Sequence, residues 1–215
     1  MSVFRNLLMS GGVPDVPLTY LRGTGTQYID TGIKLNYNTN FDLKFELMSK
    51  TDTTRVMGYL DSYTTASTRP CHACFYNSTY GLYFLYNSSD WSRWSNAKSQ
   101  VFPLKIYLEG RANIFYYKNF AKNTTYWNKT YATRTGQGEK NCLLFAHWTR
   151  NGGESDYHVD LGGDIKIYEF IIYGSSLNDI AHHFKPVLHN NIPCMVDEIT
   201  GEYYYNQGTG NFIYG

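Results

Sequence analysis

Proline and cysteine are scarce in this chain of 215 residues, at six and four, and charged residues make up only 17%. Few prolines leave the backbone free to build strands, where a missing N–H breaks the ladder. Four cysteines cannot staple a domain of this size, so a hydrophobic core has to hold it. No apolar run is long enough to span a bilayer, and the mean hydropathy is -0.43. Neither sign of charge prevails: 19 Lys and Arg stand against 18 Asp and Glu, a formal net charge of +1. Nucleic-acid binders carry a basic face or stripe, and this balance argues against one. The start, Met1 to Met9, has a single basic residue and no apolar core of roughly 7–15 residues such as a signal peptide needs. The Asn-x-Ser/Thr sequons at Asn77, Asn87, Asn123 and Asn128 therefore read as products of an Asn-, Ser- and Thr-rich chain. Synthesis in a reducing cytoplasm is the expectation.

What the chain does have is aromatic side chains, with 21 Tyr, 12 Phe and 4 Trp. Disordered chains are poor in these, so the protein is globular. Its length fits one domain, a size that all-β sandwiches reach as a single unit. Residues 1–19 contain Gly11-Gly12, Pro14 and Pro17 and read as an extended arm that docks on a neighbour. Residues 20–215 read as the domain.

The hydrophobic period in that domain is two. Phe41, Leu43, Phe45 and Leu47 alternate with Asp42, Lys44 and Glu46, and Leu104, Ile106 and Leu108 with Lys105, Tyr107 and Glu109. Further β-prone runs are Tyr80 to Tyr86, Ile114 to Tyr117 and Leu143 to Trp148. Ile165 to Tyr173 is apolar enough for a strand covered on both faces. Tyr203-Tyr204-Tyr205 and Phe212-Ile213-Tyr214, joined by a glycine-bearing loop, predict a hairpin. Turn clusters at Asn151-Gly152-Gly153 and Gly162-Gly163 complete the pattern of an antiparallel sandwich. The one helical candidate is Ser176 to Phe184, with Ser176 as cap and Asp179 in the first turn. No βαβ alternation occurs, which excludes doubly wound nucleotide-binding folds.

The stretch Tyr20-Leu21-Arg22-Gly23-Thr24-Gly25-Thr26-Gln27-Tyr28-Ile29-Asp30-Thr31-Gly32-Ile33 resembles the opening signature of concanavalin A-like (laminin-G-like) jelly-roll domains of gut bacteria and their tailed phages. Ile165 to Phe170, Phe184-Lys185-Pro186-Val187, Met195 to Tyr204 and Asn206-Gln207-Gly208-Thr209-Gly210 resemble that family's closing segments. Phe4 to Met9 followed by glycines resembles leaders on phage-borne members. His183 replaces the family's acidic residue, Lys185 stands where an apolar one is common, and residues 61–100 have no counterpart. The resemblance implies an all-β, two-sheet antiparallel jelly-roll sandwich on a virion. There it would act as a head decoration, auxiliary capsid or fibre-associated protein that contacts other virion proteins and sister subunits. Tyr28, Asp30, Gly32, Asp197, Gly201, Gly208 and Gly210 are read as structural closure, with Asp30-Thr31-Gly32 bonding locally.

Catalytic sets are weak. Glycoside hydrolysis needs two carboxyls about 5–9.5 Å apart. Asp197-Glu198-Ile199-Thr200-Gly201-Glu202 has a turn inside it, and Lys44 lies between Asp42 and Glu46 to neutralise them. There is no Gly-x-Ser-x-Gly elbow, and His147 and His158 have no partner readable from spacing. No enzyme is expected, with a polysaccharide depolymerase as the remote alternative. Cys71-His72-Ala73-Cys74 has zinc half-site spacing but no second half, so Cys71, Cys74, Cys142 and Cys194 read as reduced thiols. His182-His183 would point to opposite faces of a strand. No cofactor is expected; a structural calcium suits such folds, and Asp61, Asp90 and Asp156 are loop carboxylates without EF-type spacing. The remaining signal is aromatic: Trp91 and Trp94 among polar residues, and Tyr126, Trp127 and Tyr131. Such groups cover sandwich ends, bind sister subunits or, as the alternative function, contact host surface glycans.

Overall fold

A computed structural model describes residues 14–50, 53–59, 70–87, 91–133, 136, 138–149 and 156–215, with only the backbone for residues 70, 71, 87 and 91. Gly11-Gly12 and the rest of the first 13 residues, Asp61, Asp90, the turn at Asn151 and the side chains of Cys71 and Trp91 lie outside what is described. In chain order the strands are Val16–Pro17 (β1), Leu21–Gly23 (β2), Ile29–Asp30 (β3), Asn40–Leu47 (β4), Thr54–Tyr59 (β5) and Pro70–Asn77 (β6). They continue with Gly81–Asn87 (β7), Trp91–Trp94 (β8), Leu104–Arg111 (β9), Ile114–Lys118 (β10), Thr125–Thr130 (β11), Leu143–Leu144 (β12) and Ala146–Thr149 (β13). The last are His158–Leu161 (β14), Ile165–Tyr173 (β15), Ile180–His189 (β16), Ile192–Asp197 (β17), Tyr203–Tyr204 (β18) and Ile213–Tyr214 (β19). One short 3-10 turn, Ser95–Ser99, follows β8. Among the described residues no helix is long and apolar enough to cross a membrane.

The fold is all-β, in two sheets. The front sheet runs β11-β10-β9-β4-β15-β16-β17-β18, with β1 on β16 and β2 between β15 and β19. The back sheet runs β14-β13-β5-β6-β7-β8, with β12 on β5 and β3 on β12. Pairing is antiparallel except for one parallel contact, Trp148 opposite Tyr59. The alternation read from the sequence places Phe41, Leu43, Phe45 and Leu47 inside with no exposed surface, and Ile106 and Leu108 beside them. From the back sheet come Val56, Met57, Tyr76, Phe84 and Tyr86, all equally buried. Phe84 stacks on Phe115 at 4.0 Å and Phe170 on Phe184 at 5.8 Å, so rings from both sheets fill one core. Each such ring contributes about 1.5–3 kcal/mol on leaving water.

Three expectations are corrected. Residues 180–184 are strand: the Asp179 carboxylate accepts from the Ser175 amide at 2.9 Å and the Gly174 amide donates to the Asp179 carbonyl at 2.7 Å. This closes a β15–β16 hairpin, in which Ile171 faces His183 and Phe170 faces Phe184, and that register overrides the weak helical pattern. The hairpin expected at the C-terminus does not form either. Tyr203–Tyr204 pair with β17 and Ile213–Tyr214 with β2, so the two ends of the domain meet as neighbouring strands. Strand β15 is buried on one face only. A bulge between Ile167 and Glu169 turns Tyr168 and Glu169 outward together, and both stay half-buried on the wet side.

Residues 14–19 of the expected arm lie on their own domain. Val16 and Pro17 pair with Leu188 and Val187, and the Asp15 carboxylate meets His189 Nδ1 at 2.6 Å. Chain closure is equally tight at the other end, where the Gln207 amide donates to the Tyr28 carbonyl at 2.9 Å and the Thr209 amide to that of Thr26 at 3.0 Å. A Cβ on Gly208 would lie 2.0 Å from the Thr26 carbonyl oxygen, whereas one on Gly201 (φ +77°) would meet nothing within 4 Å. Gly208→Ala should therefore cost about 3 kcal/mol through overpacking against backbone, but Gly201→Ala only about 1 kcal/mol of left-handed strain. Urea denaturation of the two variants checks the order; equal losses would refute the closure role given to Gly208.

Candidate functional site

The aromatic group read from the sequence is divided by the fold. Strands β8 and β11 are the edge strands of the two sheets on the same side of the sandwich, and Trp94 stacks on Tyr126 across them at 5.1 Å. Trp94 is only 5% exposed and belongs to the core. Tyr131, 6% exposed, donates to the Phe84 carbonyl at 2.9 Å and stacks on Tyr86. These two rings therefore support the surface rather than form it. Tyr126 is exposed, and Trp127 is half-buried against Tyr117. Around them Thr125, Asn128, Lys129 and Thr130 are exposed, and the far edge of β11 carries no strand among the described residues. The result is an unpaired polar-aromatic edge.

The signature residues hold the chain in shape. The Asp30 carboxylate accepts from the Gly32 amide at 2.9 Å, as its spacing predicts. Asn206 accepts from the Tyr28 amide at 3.1 Å, and its own amide donates to the Gly210 carbonyl at 2.8 Å. Asp197 is fully buried and accepts from the His183 and Ile199 amides at 2.8 and 3.1 Å and from Thr200 Oγ1 at 3.0 Å. The Gly201 amide closes the turn onto the Asp197 carbonyl.

The outer face of the front sheet is the feature that sequence reading missed. Asp42, 2% exposed, accepts from Tyr107 Oη at 2.5 Å and Tyr173 Oη at 2.7 Å and pairs with Arg111 at 2.6 Å. Glu109 pairs with Lys118 at 2.7 Å, and Glu46 accepts from Tyr168 Oη at 2.6 Å with Lys166 at 3.4 Å. Burial and these carboxylate acceptors push the Tyr107, Tyr168 and Tyr173 hydroxyls well above their ordinary range. Lys44 does not neutralise Asp42 and Glu46, as its position between them implied. Its ammonium sits 5.1 Å over the Phe120 ring, and the neutralising partners come from β9 and β15. The only clue in the sequence was the wet-face set Lys105, Tyr107 and Glu109, which lacks its register until β4 and β9 are paired.

Histidines sit in similar settings. His182 Nδ1 lies 2.8 Å from the Asp197 carboxylate, and His183 bridges Glu169 at 2.7 Å and Glu198 at 3.1 Å. The two adjacent rings meet different partners, His182 stacking on Phe184 and His183 lying beside Glu169, as the alternation of a strand predicts. On the back sheet His147 is buried and lies 3.4 Å from Asp160, which also takes Arg55 at 2.5 Å. Burial holds His147 below its ordinary value. A cleft of about 510 Å³ opens between residues 33–40 and the turn of the β15–β16 hairpin, and His182 lies on its wall. Among the described residues no three His, Cys, Asp or Glu side chains are grouped to hold a metal. Cys74, Cys142 and Cys194 are buried free thiols, and burial pushes Cys74 up to about 12 and Cys194 to about 11.

No family model, curated protein or solved structure matches this chain. Its chemistry therefore rests on its own geometry, in which each of these front-face carboxylates is already engaged by cations, tyrosines or histidines. Desolvation works against the charged forms of Asp160 and Asp197, but their hydrogen-bond donors outweigh it, and the His183 bond does the same for Glu169. All three are held below the ordinary carboxylate range, Asp160 at about 2. A depressed folded-state value means stability that is complete above the unfolded pKa, near 4, and is lost as pH falls through the folded one. The urea midpoint should thus begin to fall below about pH 6.5, where the unfolded His147 ring takes up a proton that the buried ring does not, and drop further from about pH 4 toward pH 2. Asp197→Asn should flatten part of that drop; an unchanged profile would remove Asp197 from the account.

Proposed function

We propose that this protein is a non-enzymatic structural and adhesion module of a bacteriophage particle, a jelly-roll sandwich that attaches to sister copies or other virion proteins. The observation that carries the attachment is the edge strand β11, whose exposed Tyr126, half-buried Trp127 and polar neighbours are backed by the rigid Trp94 stack. An unpaired edge is a ready template for another chain, and aromatic residues on a firm base are typical interface anchors. The phage setting is supported by the resemblance of residues 20–33 and 195–210 to virion-associated jelly rolls. Closed symmetric assemblies are the usual outcome for such homomers. The carboxylates of the front face support a non-catalytic reading, since each is spent on a cation, a phenol or an imidazole.

A second reading, contact with host surface glycans, is favoured by the open cleft at His182. The two readings combine readily, because a particle-bound sandwich can attach by one edge and present loops outward. The first is tested by immunoblotting purified particles. The chain should be present in stoichiometric copies, and the Tyr126→Ala/Trp127→Ala double variant should lose about tenfold or more of its occupancy, as loss of interface anchors does. Deletion of residues 1–19 should reduce occupancy if the arm contributes, but it also removes the β1 pairing, so the double variant is the cleaner arm. Absence from particles, or full occupancy of the double variant, would refute the attachment proposed.

A further inference from the structure

We infer that the cleft beside His182 is a binding site for a single hydroxyl-rich sugar unit, with the Asp197–His182 pair as its polar anchor. The inference rests on the glycan reading above and gives it a place, one distinct from the aromatic edge at β11.

Asp197 is fully buried, and its oxygens accept from two backbone amides and a threonine hydroxyl. A carboxylate so placed is ionised, so the Nδ1 facing it at 2.8 Å must carry a proton. The ring is thereby fixed in orientation and tautomer, the arrangement by which a carboxylate prepares the other nitrogen for work. That other nitrogen, Nε2, has no partner among the described residues: the ring's contacts there are Asp197 and a stack on Phe184 at 6.0 Å. The side chain keeps 28% of its surface exposed and lines the cleft.

What Nε2 asks for defines the ligand. In neutral imidazole it accepts, and in imidazolium it donates. A hydroxyl satisfies both states, whereas a carboxylate satisfies only one. The opposite wall carries the same dual chemistry. The Asn38 side chain makes no hydrogen bond among the described residues, while the Asn36 side-chain oxygen is spent on the Asn38 amide at 2.8 Å and its amide group is not. No carboxylate lines the cleft among the described residues. Tyr173 also lines the cleft, and its ring is fixed by Asp42 on the hydroxyl at 2.7 Å and by the Arg111 guanidinium 5.4 Å over its face. A volume of about 510 Å³ lies in the range of small-ligand sites and admits one or two hexose rings. Lys34 brings one ammonium group to the lining, and the rest is amide, imidazole and aromatic, a set that suits a hydroxyl-rich ligand.

The test is an NMR titration of the full chain that follows the His182 ring signals. The probes are the methyl glycosides of glucose, galactose, mannose and N-acetylglucosamine, with sodium acetate as the anionic control. At least one glycoside should shift the ring signals saturably while acetate does not. Asn38→Ala, which removes no internal bond, should weaken that binding about tenfold, as expected for one lost hydrogen bond. His182→Gln, followed by the Asn38 side-chain amide signals, should weaken it similarly, and Tyr126→Ala/Trp127→Ala should leave it unchanged. Acetate acting as strongly as the sugars, or sugar binding that survives Asn38→Ala and His182→Gln, would overturn the inference. Binding lost only in the Tyr126/Trp127 variant would overturn the cleft and keep the glycan reading; no binding of any glycoside would overturn both. The particle blot tests attachment independently of all these results.

Discussion

A carboxylate taken out of water must be surrounded by donors, or it costs several kcal/mol. Asp42 meets that condition with groups from two neighbouring strands: Tyr107 and Arg111 on β9 and Tyr173 on β15. This one polar knot locks the three central strands of the front sheet in register from the wet side, while Phe41, Leu43 and Phe45 lock β4 from the core side. A slip of one residue would bury the carboxylates among phenylalanines and expose the phenylalanines to water. The two faces of β4 therefore specify the same register by opposite chemistry.

The same constraint decides what the front face can do. A catalytic carboxylate needs a free oxygen aimed at substrate, and a glycosidase needs two. Here Glu46, Glu109 and Glu169 follow Asp42 in being held by phenols, ammonium groups and an imidazole. Lysines that are not spent in this way rest on rings, as Lys44 and Lys105 do on Phe120 at 5.1 and 5.7 Å. The face is thus a satisfied layer, suited to lying against solvent or a partner, and the binding chemistry falls to the edges and ends of the sandwich.

How much of this the sequence revealed follows from the range of each signal. Alternation is local, and β4, β7, β9 and β10 stand close to where period and propensity place them. The stretch 176–184 misled because Ser176 and Asp179 have the spacing of a helix cap, while what decides the conformation is β15, a strand already formed and waiting for a partner. Tyr203 to Tyr214 misled for the same reason: a glycine loop between β-prone runs is a hairpin only if the runs prefer each other, and here β17 and β2 compete successfully for them. Neither Tyr107 with Asp42 nor His182 with Asp197 is close in sequence, being 65 and 15 residues apart, so no window of local pattern could join them. Trp94 and Tyr131 were read as surface because their neighbours are polar. They are buried because each is the inward member of an alternating pair, Trp94 beside exposed Arg93 and Tyr131 beside exposed Thr130.

The proposed attachment edge and the proposed sugar cleft are separated by the sheet itself. From β11 to β15 there are four strand spacings, roughly 19 Å at the usual interstrand distance. A neighbour added to β11 extends the front sheet in its own plane and leaves the β15–β16 turn uncovered. The core between the sheets is common to both sites, and it is filled by stacked rings rather than by a cavity, so occupation of one site has no soft route by which to distort the other. This independence suits a module fixed on a surface, which must hold its neighbours constantly while meeting ligands that come and go. It also accounts for the placement of the buried polar groups. Asp42 stiffens the central strands of the front sheet, and Asp197, opposite Phe184 on β16, fixes the ring of His182 two residues away, so a ligand of the proposed site would meet a ring already oriented at little further cost in entropy.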